Sequence, residues 1–158
     1  MIKQAYFANY SQYYGIIANM RERFKTQLKL AGYSLTKPRL AVFKAMADHA
    51  LSMAELQTAL QGSLDRASLY RTLGLFERLE IVQVVGQGKY RRFELSDSYN
   101  AHHHHLNCTR CGRVETIEAP AIERELNTLA LSHGFLAANH QVELSGICRT
   151  CEASSTID

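Results

Sequence analysis

The sequence predicts an α+β chain in two lobes, and three observations carry that expectation. Apolar residues recur at helical spacing as far as about residue 78. Two strand-like runs around a glycine-rich turn follow at once, and the last third reads strand, strand, helix, strand and holds two Cys-x-x-Cys units. At 158 residues and 46% hydrophobic content the chain has enough apolar material for two small packed cores. The expected divisions are an N-terminal extension over 1–20, a first lobe over 21–96, a hinge over 97–101 and a second lobe over 102–158.

The first helix begins at Arg21, carries Phe24, Leu28 and Leu30, and ends at Ala31-Gly32, where glycine suits a helix C-terminus. Thr36 is the expected N-cap of the second helix, with Pro38 in its first turn and Leu40, Phe43 and Met46 on its buried stripe. Ser52-Met53-Ala54-Glu55 is a capping box that opens a third helix with Leu56 and Leu60 inward. Asp65 can cap a fourth, whose Leu69, Leu73 and Phe76 repeat at core spacing. At about 100° per residue, Arg71 and Arg78 fall opposite that stripe, beside the small Ala67 and Gly74, with Tyr70 on the flank. A narrow basic face of this kind can enter a major groove. A solvated charged face is the plainer reading of the helix taken alone.

Ile81–Val85 and Tyr90–Leu95 flank Gly86-Gln87-Gly88-Lys89, a hairpin with a basic tip. Helices followed by such a ribbon make a winged helix-turn-helix, in which Lys89, Arg91 and Arg92 would lie along phosphates. Protein docking is the other use of that fold. Charge is divided unevenly: 13 basic and 8 acidic side chains lie between Arg21 and Asp97, against 4 and 7 from Ser98 onward. An anionic partner is therefore expected for the first lobe. No run of about 20 apolar residues spans a membrane, and the first twenty residues lack the apolar core of a secretory signal. The expected location is the cytoplasm. The Tyr-rich extension reads as an extra helix, a disordered arm, or sequence ahead of a true start at Met20.

In the second lobe Val114–Ile117 and Gln141–Leu144 are strand-like, and a helix is expected over Pro120–His133 with Ile122, Leu126 and Leu129 buried and Gly134 at its end. His133 at that end suits the helix dipole. Cys108-Thr109-Arg110-Cys111 and Cys148-Arg149-Thr150-Cys151 have the spacing that lets two turns present four thiolates to one tetrahedral zinc. Such a site has no open position, so its role is to hold structure, and in a reducing compartment the pattern points to zinc rather than two disulfides. Between hinge and cysteines stand His102, His103, His104 and His105. Side chains of an extended segment alternate between faces, so one run can feed two metal sites, with Glu94, Glu123, His140 and His49 as candidates to complete them. A solvated histidine run is the bland alternative.

Thr36-Lys37-Pro38-Arg39-Leu40, Ala67-Ser68-Leu69-Tyr70-Arg71-Thr72-Leu73, Phe93-Glu94-Leu95, and His102 to His105 followed by Leu106-Asn107-Cys108 and Cys111-Gly112 occur in that order. The ordered set resembles the ferric uptake regulator family of bacterial metal-sensing repressors, over about Arg21 to Cys151. The resemblance implies a homodimer joined through the C-terminal α/β lobe, which binds a palindromic AT-rich operator in double-stranded DNA when loaded with metal. Cys108, Cys111, Cys148 and Cys151 then correspond to a structural Zn2+ site, and Glu94, His103 and His105 to a regulatory site at the hinge. The family's further histidine falls at Ala50, with His49 one residue away as a substitute fourth ligand. His102, His104, Glu123 and His140 correspond to a second site in the dimerisation lobe. Fe2+ or Zn2+ is the implied regulatory ion, with Mn2+ acceptable to the same donors. Tyr70 and Arg71, flanked by Ser68, are implied in the major groove and Arg39 at a phosphate, with Lys37 near the backbone and Arg78 and Lys89 completing the basic surface. The expected function is thus repression of iron- or zinc-uptake genes. Manganese-, nickel- or peroxide-sensing by the same scaffold, and a metal-storage or interaction module, are the alternatives. Catalysis on a small molecule is not expected: zinc deamination needs His-x-Glu and Pro-Cys-x-x-Cys, and neither pattern occurs.

Overall fold

The computed structural model describes residues 19–136 and 140–154. The expectations for residues 1–18 and 155–158 lie outside the described residues. Helix α1 runs through residues 19–30 and closes on Gly32, at φ 80°, where the Tyr33 N–H reaches the Leu28 carbonyl at 2.8 Å. The caps expected from sequence are in place: Thr36 accepts from the Arg39 N–H to open α2 (Lys37–Ala45), Ser52 and Glu55 exchange both bonds of a capping box at α3 (Met53–Ala59), and Asp65 accepts from the Ser68 N–H at 2.8 Å to open α4 (Arg66–Arg78). Phe24 stacks on Phe43 at 4.2 Å and meets Phe76 edge-on, at the centre of a core that includes Leu28, Met46, Leu56, Leu69 and Leu73. Val42 of α2 is also in that core, whereas Leu40 is only partly buried.

The wing is β2 (Val82–Val85) and β3 (Arg92–Leu95), joined through a 3₁₀ turn at Gly88–Tyr90. Its sheet has a third member, β1 (Leu51–Ser52), so the order is β1-β3-β2. Two residues are too few to show alternation, which is why β1 leaves no trace in the sequence. Two basic residues expected on DNA are engaged elsewhere. Arg91 pairs with Glu77 of α4, and Arg92 pairs with Glu55 and donates to the Ala50 carbonyl, so both brace the wing against the helices. Lys89 remains exposed at the tip.

The segment expected as the hinge is anchored at its start to the first lobe. Tyr99 is buried with its ring edge against Phe43 and its hydroxyl bonded to Gln27; the Tyr99 and Asn100 N–H groups bond the Ser96 carbonyl, and the Asn100 side chain bonds the Leu95 carbonyl. The second sheet has the order β5-β4-β6, with β4 (His104–Cys108) antiparallel to β5 (Val114–Ile117) and parallel to β6 (Glu143–Gly146). The strand expected at Gln141–Leu144 lies two residues later, because pairing with β4 sets its ends. Helix α5 (Pro120–Ser132) crosses between β5 and β6, and α6 (Arg149–Ala153) follows the last cysteine pair. The buried stripe expected on α5 is not buried: Ile122 and Leu126 are partly covered and Leu129 is 57% exposed.

Contacts of the wing with the second lobe, outside the hinge, also join the lobes. Tyr90 donates its hydroxyl to the Arg110 carbonyl at 2.5 Å and lays its ring on Gly112, where a Cβ would collide with the ring's Cδ1. Glu143 of β6 accepts from the Gly86 N–H at 2.6 Å and from the Asn107 side chain.

Candidate metal centres

Three clusters of side chains that could hold a metal ion occur among the described residues, each with its donor atoms within 4.8 Å of one another. The first joins Cys108, Cys111, Cys148 and Cys151. Cys108 ends β4 and Cys148 precedes α6, so one tight turn from the sheet and one helix start present the two pairs. Backbone N–H groups of Cys148 and Cys111 aimed at the Cys108 sulfur hold its thiol down to about 5. A hydrogen bond with the Cys111 sulfur, burial, and hydrogen bonds with the other two sulfurs push the Cys151 thiol up to about 12. One thiolate is favoured and the fourth is opposed, a conflict that a divalent cation removes. The donor set therefore fits zinc.

The second cluster lies at the seam between lobes. Glu94 of β3 is 2% exposed, with His105 Nε2 at 3.1 Å and His103 Nε2 at 3.4 Å from its carboxylate. Burial alone would raise the Glu94 carboxyl, but hydrogen bonds from His105 and Gln83 and the charges of His105 and His103 outweigh it and hold the group below its ordinary value. Gln83 stands directly opposite Glu94 across the β2–β3 pair and donates to Oε1 at 2.6 Å. Ala50 is buried and offers only its carbonyl, to Arg92. His49 is exposed and lines a cavity of about 400 Å³ with Glu94, His102 and His103, but it stands outside the three-residue cluster.

The third cluster is His102, His104, Glu123 and His140. The Nε2 atoms of His104, His140 and His102 lie 2.6, 2.9 and 3.1 Å from the same Glu123 oxygen, and those of His102 and His140 are 3.0 Å apart. One carboxylate oxygen faces three imidazole nitrogens with too few protons to satisfy every lone pair, and a cation at that point resolves the arrangement. Asp97, by hydrogen bond and charge, and Glu123 beside it raise the His102 imidazole above its ordinary value. The histidine run splits by alternation, His102 and His104 facing α5 and His103 and His105 facing the wing. Gln83 and Asp97 went unnoticed in the sequence. Counting back across the hairpin from Glu94 reaches Gln83, but Asp97, in a polar segment, left no signal.

On the first lobe, Arg39, Arg71, Thr36 and Ser68 line a cleft between the N-termini of α2 and α4. Arg71 is tethered through Ser68 to Asp65, at 2.9 and 2.6 Å, and Arg39 to the Ser34 carbonyl at 2.6 Å. Two helix N-termini and two guanidinium groups at one surface suit a phosphate backbone. Tyr70, half exposed beside Arg66, lies between Ser68 and Arg71 on α4, Arg78 ends that helix, and Lys37 is exposed at the start of α2.

A winged helix joined to a lobe of thiolate, imidazole and carboxylate clusters defines a metal-responsive DNA-binding regulator. The profile of the ferric uptake regulator family matches residues 30–145, and the chain belongs to that family, whose members are transcriptional regulators rather than enzymes. The chain is 33% identical over 138 residues to the ferric uptake regulation protein of Campylobacter jejuni, covering 82% of this chain and 87% of that one. It is 31% identical over 147 residues to that of Bacillus subtilis, covering 87% and 98%. Among solved structures, the Vibrio cholerae ferric uptake regulator superposes with a TM-score of 0.66 at 30% identity, covering 78% and 98%. The Helicobacter pylori regulator, described as having three functional metal binding sites, superposes at 0.72 with 23% identity, covering 85% and 93%, a likeness of fold.

Proposed function

We propose that this chain is a cytoplasmic repressor of metal-uptake genes, for iron or zinc, that binds a palindromic AT-rich operator as a metal-loaded homodimer. The observation that carries the reading is the seam cluster. Glu94 comes from the wing, His103 and His105 from the second lobe, and all three converge on one point. A divalent cation held there supplies the charge that lets a buried carboxylate and two imidazoles close together. Because the ligands come from both lobes, loading favours one angle between them, and it shifts the population only by its differential affinity for that angle.

In this reading the four cysteines hold structural zinc, Glu94, His103 and His105 form the regulatory site with water or His49 as a further ligand, and His102, His104, Glu123 and His140 form a second divalent site. Tyr70, Arg71 and Ser68 enter the major groove, and Arg39, Lys37, Arg78 and Lys89 neutralise phosphates. A second copy of the chain covers the open apolar faces at Leu129 of α5 and Leu144 of β6, and the resulting two-fold places two copies of α4 on the two halves of a palindrome. Among the described residues no helix is long and apolar enough to cross a membrane. The kinship with ferric uptake regulation proteins favours iron, whereas a nitrogen-rich donor set favours zinc.

The test is a fluorescence-anisotropy titration of a palindromic AT-rich duplex with zinc-replete protein at fixed salt, adding iron(II), zinc(II) or manganese(II) separately. One metal is expected to tighten binding at least tenfold, and Glu94→Gln to abolish that gain. Equal affinity with and without every metal would sink the reading. In sedimentation, Leu129→Asp is expected to shift dimer to monomer; an unchanged dimer would remove the assigned interface.

A further inference from the structure

The cluster of His102, His104, Glu123 and His140 is built wholly from the second lobe, so its ligands alone give it no route to the DNA-binding lobe. One hydrogen bond supplies that route: His102 Nδ1 lies 2.5 Å from Asp97 Oδ2. Asp97 sits in the turn that Ser96, Tyr99 and Asn100 fasten to the first lobe. The Ser96 hydroxyl bonds the Glu80 carbonyl at 2.7 Å behind α4, and Tyr99 is buried against Phe43 of α2. Asp97 is therefore carried by the DNA-binding lobe, while the ring it holds belongs to the other.

We infer that Asp97 is a positioning residue for this cluster, and that through His102 it carries occupancy of the second site into the DNA-binding lobe. The inference rests on the proposed reading of the cluster as a metal site. An imidazole that donates Nδ1–H to a carboxylate is fixed in one tautomer and one ring orientation, with its other nitrogen free as a ligand. Here that free nitrogen, Nε2, faces Glu123 Oε1 at 3.1 Å and His140 Nε2 at 3.0 Å. His104 offers the contrast, since its Nδ1 is buried without a hydrogen-bond partner and its ring is held by its place in β4 and by Glu123 at 2.6 Å. His102 precedes β4 and has no strand to hold it, so the Asp97 carboxylate does that work. Loading the site fixes His102, and the fixed ring in turn holds Asp97 and the turn that rides on α2 and α4.

The experiment uses full-length, zinc-replete protein carrying His103→Ala, which removes a ligand from the seam cluster, and compares Asp97, Asp97→Asn and Asp97→Ala. Cobalt(II) is the probe, read by its d–d absorption, by chelator competition, and by hydrogen exchange of the amides from Ser96 to Asn100. With Asp97 intact, cobalt is expected to give a spectrum that His140→Ala abolishes, and to protect those amides. Asp97→Ala is expected to weaken cobalt about 10- to 100-fold, alter the spectrum and remove the protection at saturating cobalt. Asp97→Asn, which keeps an acceptor but not the charge, should fall between. Unchanged affinity and protection in Asp97→Ala would overturn the inference and leave the metal site standing. Absence of a His140-dependent spectrum with Asp97 intact would overturn the metal reading, and the inference with it.

Discussion

The two lobes are stabilised by different means. The first buries Phe24, Leu28, Met46, Leu56, Leu69, Leu73, Phe76, Ile81 and Leu95 almost completely, a core that needs no ligand. In the second, the residues buried within strands and turns are Cys108, Gly112, His104 and His105, and among the described residues none of α5 is buried. Its interior is made of donor atoms rather than methyl groups, and its apolar side chains face outward. A lobe of this kind draws stability from what binds it, while the first supplies its own.

The largest break of that contrast is loss of the thiolate cluster. Cys108→Ser, or chelation of zinc, is expected to unfold β4, β5 and β6 while α4 keeps its slow amide exchange, since structural zinc carries an apparent binding free energy of about 10–16 kcal/mol that is also folding energy. Cooperative melting of both lobes at one midpoint would erase the distinction. Next in size is Phe76→Ala, expected to cost about 3–5 kcal/mol in urea denaturation of the first lobe with zinc content unchanged. A loss below about 1 kcal/mol would mean that the aromatic centre is not the source of stability. Arg71→Ala then separates function from folding: operator affinity should fall by about 1–3 kcal/mol at fixed salt with no change in melting. Equal affinity would remove α4 from the groove.

The smallest effect compares the two histidine clusters with each other. Asp97, then Glu123, raises His102, so its proton competes with a cation as pH falls through that raised value. Glu94 is held below its ordinary value, so protonation of its carboxyl begins to compete only in more acidic solution. Raising the pH from 6 to 8 should therefore tighten cobalt at His102, His104, Glu123 and His140, a gain that Asp97→Ala reduces. A gain of the same size in Asp97→Ala would remove the assigned cause.

The helices of the first lobe were readable because caps and apolar spacing are local: Thr36, Ser52, Glu55 and Asp65 each act within four residues of themselves. The division of the histidine run was also readable, since alternation along a strand is a property of the backbone. What escaped was non-local. The strand at Leu51–Ser52 exists only through its pairing with β3, Tyr99 is buried against a helix distant in sequence, and Arg91 and Arg92 found carboxylates on helices far away in the chain. The α5 stripe was correctly periodic and wrongly expected to be buried, because periodicity identifies an apolar face without saying which molecule covers it.

The ring of Tyr90 on Gly112 has a consequence for inheritance. Residue 112 has a left-handed backbone, at φ 73°, and room for nothing larger than hydrogen while residue 90 is aromatic. Two positions twenty-two residues apart, one in the wing and one in the cysteine turn, are therefore linked in one direction: the ring at 90 demands glycine at 112, while glycine at 112 leaves position 90 free to change. Loss of the tyrosine at 90 would remove the clash with an added methyl group at 112 but not the strain of a left-handed backbone, so glycine is demanded there twice over.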